Sequence, residues 1–79
     1  MVTVRYFAGA RAAAGTDSEQ VPAGSLAELV SGLGARHGAP LTRVLGAASF
    51  LVDGVAAGDR EVALRPGCTV DVLPPFAGG

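Results

Sequence analysis

The run from Ser25 to Gly38 allows one reading. It is the long amphipathic helix of a chain whose other patterned segments are mostly strand-like. Ser25 stands three residues before Glu28, the spacing of a reciprocal capping box, with Ser25 capping the Glu28 N–H and Glu28 reaching back to Ser25. Leu26, Leu29, Val30 and Leu33 then recur at helical spacing and form one apolar stripe. Gly32 and Gly34 each weaken the helix by about 1 kcal/mol relative to alanine. His37 falls in the last turn, Gly38 supplies a C-cap, and Pro40 forbids continuation.

The flanks read at period two. Val2, Val4 and Tyr6 alternate with Thr3, Arg5 and Phe7, which predicts a strand. Ala8 to Ala14 is helix-forming and stops at Gly15. Glu19 to Val21 is a short strand candidate. Leu41, Val44 and Leu45 suit a short helical turn. Ser49 to Val52 and Val55–Ala56 flank Asp53-Gly54, a two-residue hairpin turn. Glu61 to Leu64 is another short strand candidate. Thr69 to Leu73 is the last strand, with Val70 and Val72 on one face and Thr69, Asp71 and Leu73 on the other. One main helix cannot cover both faces of a four- or five-stranded sheet. The expected fold is an α+β roll, a mixed sheet with the helix packed on one face. The first and last strands are the most regular and are expected side by side at its centre.

Seventy-nine residues, 49% apolar and 16% charged, make one small domain and exclude disorder. Six arginines are scattered and the net charge is −1, which argues against a nucleic-acid partner. No apolar run would span a bilayer, and the strand pattern at the start leaves no signal-peptide layout. The single cysteine, Cys68, excludes an internal disulfide and fits a reducing, cytoplasmic setting. There is no lysine, so the chain cannot accept an isopeptide bond on a lysine side chain.

The sequence ends Pro74-Pro75-Phe76-Ala77-Gly78-Gly79. Proline stiffens the base of this segment and holds the preceding residue extended. Glycine, lacking a Cβ, suits passage through a narrow channel. Six residues reach at most about 20 Å. The organisation expected is a domain over 1–73 and a flexible tail over 74–79. A carboxylate at Gly79 that threads into a partner's site, followed by Gly78, Ala77, Phe76 and Pro75, is a candidate for activation chemistry. Phe76 beside two prolines suits an anchor in a partner groove. Arg5 and Arg11 could meet acidic patches on a partner, or be solvated charge. Cys68 reads as a small loop residue and His37 as a charge partner of its helix end. One His and one Cys far apart make no metal site.

Three stretches carry a resemblance to the MoaD/ThiS family of ubiquitin-like sulfur carriers. Val4-Arg5-Tyr6-Phe7-Ala8, with Arg11 and Gly15, resembles that family's first strand and following short helix. Phe50-Leu51-Val52-Asp53-Gly54-Val55 resembles its hairpin, and Val70 to Gly79 its last strand and tail. The helical insert at Ala8–Gly15 is more similar to MoaD, the small subunit of molybdopterin synthase, than to ThiS. The resemblance implies a β-grasp roll that is not itself an enzyme. It implies that an adenylating enzyme of the MoeB/ThiF type uses ATP to activate Gly79, and that no cofactor is bound by the chain itself. A sulfurtransferase or cysteine desulfurase would supply sulfur for a thiocarboxylate, and a large synthase subunit of the MoaE type would receive it within a heterotetramer. Carriers for thiamine, cysteine or specialised metabolites, and ubiquitin-like protein modifiers, share this fold and tail.

Overall fold

The computed structural model describes residues 1–75. The elements run β1 (Val2–Tyr6), α1 (Ala8–Ala14), β2 (Ser18–Val21), α2 (Leu26–His37), α3 (Ala39–Ala47), β3 (Ser49–Val52), β4 (Val55–Ala56) and β5 (Thr69–Leu73). The strands form one mixed sheet in the order β2-β1-β5-β3-β4. β1 and β5 pair in parallel at its centre, Thr3 opposite Thr69 and Tyr6 opposite Val72. The remaining pairs are antiparallel.

Alternation decides which side chains make the core. Val2, Val4, Tyr6, Phe50, Val70 and Val72 are buried beneath Leu26, Leu29 and Leu33 of α2 and Leu41 and Leu45 of α3. Val30 packs at the rim of the same cluster. Thr3, Arg5, Thr69 and Asp71 point to the opposite face. Full burial of a leucine or valine side chain contributes roughly 1.5–3 kcal/mol, so the leucines of α2 and α3 hold the helical layer on the sheet.

The start of α2 is capped nearly as expected. The Glu28 N–H donates to Ser25 Oγ at 3.1 Å, but the Glu28 carboxylate accepts from the Gly24 N–H at 3.1 Å, one residue earlier than a reciprocal box requires. Gly38, at φ 88°, breaks the path between α2 and α3. Pro40 sits in the first turn of α3, where a missing N–H has no consequence. Instead of one short turn over Leu41–Leu45, α3 is a nine-residue helix that runs through Gly46.

The strand expected at Glu61–Leu64 does not form. Its backbone bonds go to the approach and first turn of α2: Leu26 N–H to the Val62 carbonyl at 3.0 Å, and Leu64 N–H to the Gly24 carbonyl at 3.0 Å. A single bridge, Ser25 with Ala63, is all the pairing it makes. Asp53 and Gly54 both take positive φ, 49° and 83°, as a tight hairpin turn requires. Asp53 also accepts a hydrogen bond from the Thr69 N–H at 2.9 Å, tying the hairpin to the start of β5. Among the described residues no helix is long and apolar enough to cross a membrane.

Candidate functional site

β5 is a central strand, so the chain leaves the sheet next to the end of β1 and the start of α1. Pro74 is half-buried and Pro75 exposed. Both line a groove of about 630 Å³ between α1 and α3, with Gly9, Ala12 and Ala13 on one wall and Pro40, Arg43, Val44 and Ala47 on the other. The residues from α1 are small, so another backbone can approach closely. Among the described residues Arg43 is the one charged residue of the lining, and it forms no ion pair with any of them. The β1–α1 junction that places Gly9 here is strained: Ala8 has φ 49°, a region costing a non-glycine residue about 1–2 kcal/mol.

Of the tail residues singled out in the sequence, Pro75 stands at this groove. Phe76, Ala77, Gly78 and Gly79 lie outside the described residues. Arg5 and Arg11 do not converge on the groove. Arg5 lies on the opposite face of the sheet and grips Asp71 in a fork, Nε to Oδ1 at 2.6 Å and Nη2 to Oδ2 at 2.9 Å. Its guanidinium also lies 5.7 Å from the centre of the Phe7 ring. Arg11 faces Asp17 at 3.6 Å, both well exposed. The surface role expected for these arginines is therefore shared with local ion pairs.

His37 is more than a helix-end charge. Its Nε2 meets Glu19 Oε2, the oxygen that also accepts the Tyr6 hydroxyl at 2.6 Å. Arg36 Nε lies 3.4 Å from Glu19 Oε1. These contacts tie the end of α2 to edge strand β2 through β1. Burial alone would push the Glu19 carboxyl up, but hydrogen bonds from Tyr6 and His37 and the nearby charges leave it below its usual value. Burial, then the Glu19 hydrogen bond, raises the Tyr6 phenol and keeps it protonated. Cys68 is buried, and burial followed by the Asp53 charge pushes its thiol up, which suits a packing residue rather than a reactive one. Among the described residues no group of three or more His, Cys, Asp or Glu side chains could hold a metal ion.

Sequence reasoning passed over Arg43 and the Glu19 cluster. The signal for Arg43 was present, because Pro40, Arg43, Val44 and Ala47 share one helical face once α3 is a full helix. Nothing local in the sequence could have brought Tyr6, Glu19 and His37 together. They meet through the β1–β2 register, with Val4 opposite Glu19, and through the packing of α2.

The groove thus lies where the chain leaves the central strand β5, at the root of the segment that ends in Gly78-Gly79. The model of the ThiS family matches residues 4–79. The chain belongs to the ThiS family. Members of that family are small, ubiquitin-like sulfur carrier proteins. Comparison with curated protein sequences gives no match. The small archaeal modifier protein 1 of Methanosarcina acetivorans is 23% identical with a TM-score of 0.87, over 99% of this chain and 95% of that one. A chain of the complex of subunits 1 and 2 of molybdopterin-converting factor from Helicobacter pylori is 24% identical with a TM-score of 0.75, covering 99% and 97%. A chain of the Amycolatopsis orientalis BexX/CysO complex is 22% identical with a TM-score of 0.80, covering all of both chains. These likenesses establish the ubiquitin-like β-grasp fold of this ThiS-family protein. They span a modifier and two complexes with partner proteins, so fold alone does not select a pathway.

Proposed function

We propose that this ThiS-family protein is the sulfur carrier of molybdopterin synthesis, the small and non-catalytic subunit of the synthase. The observation that carries the proposal is the family match, which runs through Gly78 to Gly79. The carboxylate of Gly79 is a poor electrophile. A partner of the MoeB/ThiF type would use ATP to convert it to an acyl-adenylate, whose AMP is a good leaving group. The terminal sulfur of an enzyme persulfide, carried by a sulfurtransferase or cysteine desulfurase, would then displace AMP to give an acyl disulfide, and a thiol reductant would cleave its S–S bond and release the thiocarboxylate. In a large subunit of the MoaE type, that sulfur would pass to a pterin precursor. Phe76 and Ala77 would thread with the glycines, and the α1–α3 groove would flank the entry. The choice of molybdopterin is favoured by α1, a seven-residue helix standing where the first two strands could have been joined directly.

The test is the intact mass of the protein after incubation with ATP, a MoaD-specific adenylating enzyme and a sulfur donor. The expected shift is one oxygen replaced by sulfur at Gly79, discharged on adding a MoaE-type subunit and pterin precursor. A charged chain that discharges only with partners of thiamine or cysteine synthesis would move the protein to that pathway. Conjugates on target lysines without sulfur transfer would make it a modifier. No shift, with a control carrier charging normally, would overturn the carrier reading.

A further inference from the structure

A helix on the surface of a domain ordinarily turns a charged or polar face to water. α1 and α3 do not. Arg11, Thr42 and Arg43 are their polar residues, and every other residue in them is Ala, Gly, Pro, Leu or Val. Ala10, Leu41 and Leu45 are buried in the core. The remaining apolar residues are exposed or half-buried, and the groove of about 630 Å³ runs between them.

The charge around this groove has one sign. None of the chain's seven acidic residues falls in α1 or α3. Arg11 is not part of the lining and faces Asp17 at 3.6 Å. Arg43 does line the groove, and among the described residues it has no carboxylate partner. We propose that the α1–α3 groove docks an amphipathic helix of a partner protein, which lays small apolar side chains between the two walls and sets a carboxylate against Arg43. Pro74 and Pro75 line the same groove, so a helix seated there also holds the root of the tail. The proposal goes beyond the carrier reading and does not depend on the pathway that the tail serves.

Charge decides the chemistry of the occupant. A wholly apolar partner would cover the guanidinium and leave it unpaired, and a basic one would face it with like charge; both are unfavourable. A nucleic-acid backbone or an anionic membrane calls for a cluster of cations, and the described lining offers one. Shape decides its size. The groove lies largely open to solvent, whereas a small-molecule site buries most of its ligand. Its walls are helices of seven and nine residues, about 10 and 14 Å long at ~1.5 Å per residue, the length of two to three helical turns. Gly9, Ala12 and Ala13 carry little side chain to hold a third helix off, so it can pack at the close end of the usual interaxial range of about 8–10 Å.

The test uses the full chain and a displayed library of alanine-based helices with one face randomised, each about 16 residues long so that it holds its helix in isolation. Binders selected on the wild type are expected to carry one Asp or Glu among small apolar residues. Amide NMR shifts caused by the best of them should concentrate at Gly9, Ala13, Val44 and Ala47. Arg43→Glu replaces an exposed ion pair by a like-charge contact and should weaken that peptide about three- to tenfold. A peptide with lysine in place of its carboxylate should prefer Arg43→Glu over the wild type by a similar factor, which excludes a folding defect as the cause. The proposal is wrong if no helix is selected, if the shifts fall instead on the opposite sheet face at Leu51 and Asp71, or if binding ignores Arg43. It is equally wrong if Phe76→Ser moves the Val44 and Ala47 amides with no peptide present, because the occupant would then be the chain's own tail. Failure of enzymatic charging would sink the carrier reading and leave this result untouched.

Discussion

Gly34 and Thr42 set how closely α2 and α3 pack, and α3 forms one wall of the groove at the tail root. A Cβ built on Gly34 would lie 2.8 Å from Thr42 Oγ1, inside contact distance, while Thr42 Cβ and Cγ2 stay 3.8 and 3.9 Å away. Gly34→Ala therefore brings two opposed effects. Alanine in a helix interior gains about 1 kcal/mol over glycine. Against this, Thr42 must rotate its hydroxyl away and forfeit its 2.9 Å bond to the Gly38 carbonyl, typically worth about 0.5–1.5 kcal/mol. That carbonyl keeps the Thr42 N–H at 3.1 Å, so it is not orphaned and the loss falls near the lower end.

The loss offsets roughly half or more of the gain in the single variant. Gly34→Ala should change stability by less than about 0.5 kcal/mol. In a Thr42→Ala background the clash is gone, and the same substitution should gain about 1 kcal/mol, or roughly 4–8 °C in Tm for a domain this small. Urea unfolding of the four proteins, analysed as a double-mutant cycle with m-values compared, gives the coupling directly. A full 1 kcal/mol gain from Gly34→Ala alone, with no coupling to Thr42, would refute the argument. It would mean that this glycine is not required by helix–helix contact.

Three further outcomes follow from the same physics. The depressed Glu19 carboxyl contributes stability that is fully present above the unfolded value near 4.5 and is lost as pH falls through the lower folded value. The urea midpoint of the wild type should therefore drop more steeply below about pH 4.5 than that of Glu19→Gln; parallel curves would remove Glu19 from the account. Ala8→Gly relieves a residue at φ 49° and should gain about 0.5–1 kcal/mol in urea unfolding although it adds a glycine to the start of a helix; a loss would show the junction to be unstrained. Leu33→Ala, at 1% exposure between the sheet and α3, should cost about 2–5 kcal/mol by the same assay; a cost under 1 kcal/mol would contradict its place in the core.

The parts of this fold that sequence alone made legible are those with strong local periodicity. The Leu26–Leu33 stripe, the β1 and β5 alternation and the Asp53-Gly54 turn are each written within a few residues, and each stands where the pattern placed it. The misreadings share a cause. Glu61–Leu64 carries strand-forming residues, but its hydrogen bonds are taken by the loop before α2, a partner more than thirty residues away. The length of α3 was hidden by Gly46 and by Pro40, which ends one helix and opens the next. Glu28 caps Gly24 rather than Ser25, a shift of one residue that no spacing rule resolves.

The candidate site divides along the same line. The Gly-Gly end is a statement of composition and could be read directly. Its surroundings, the small-residue wall of α1 and the lone Arg43 of α3, exist only because two helices far apart in sequence pack beside the exit of a central strand.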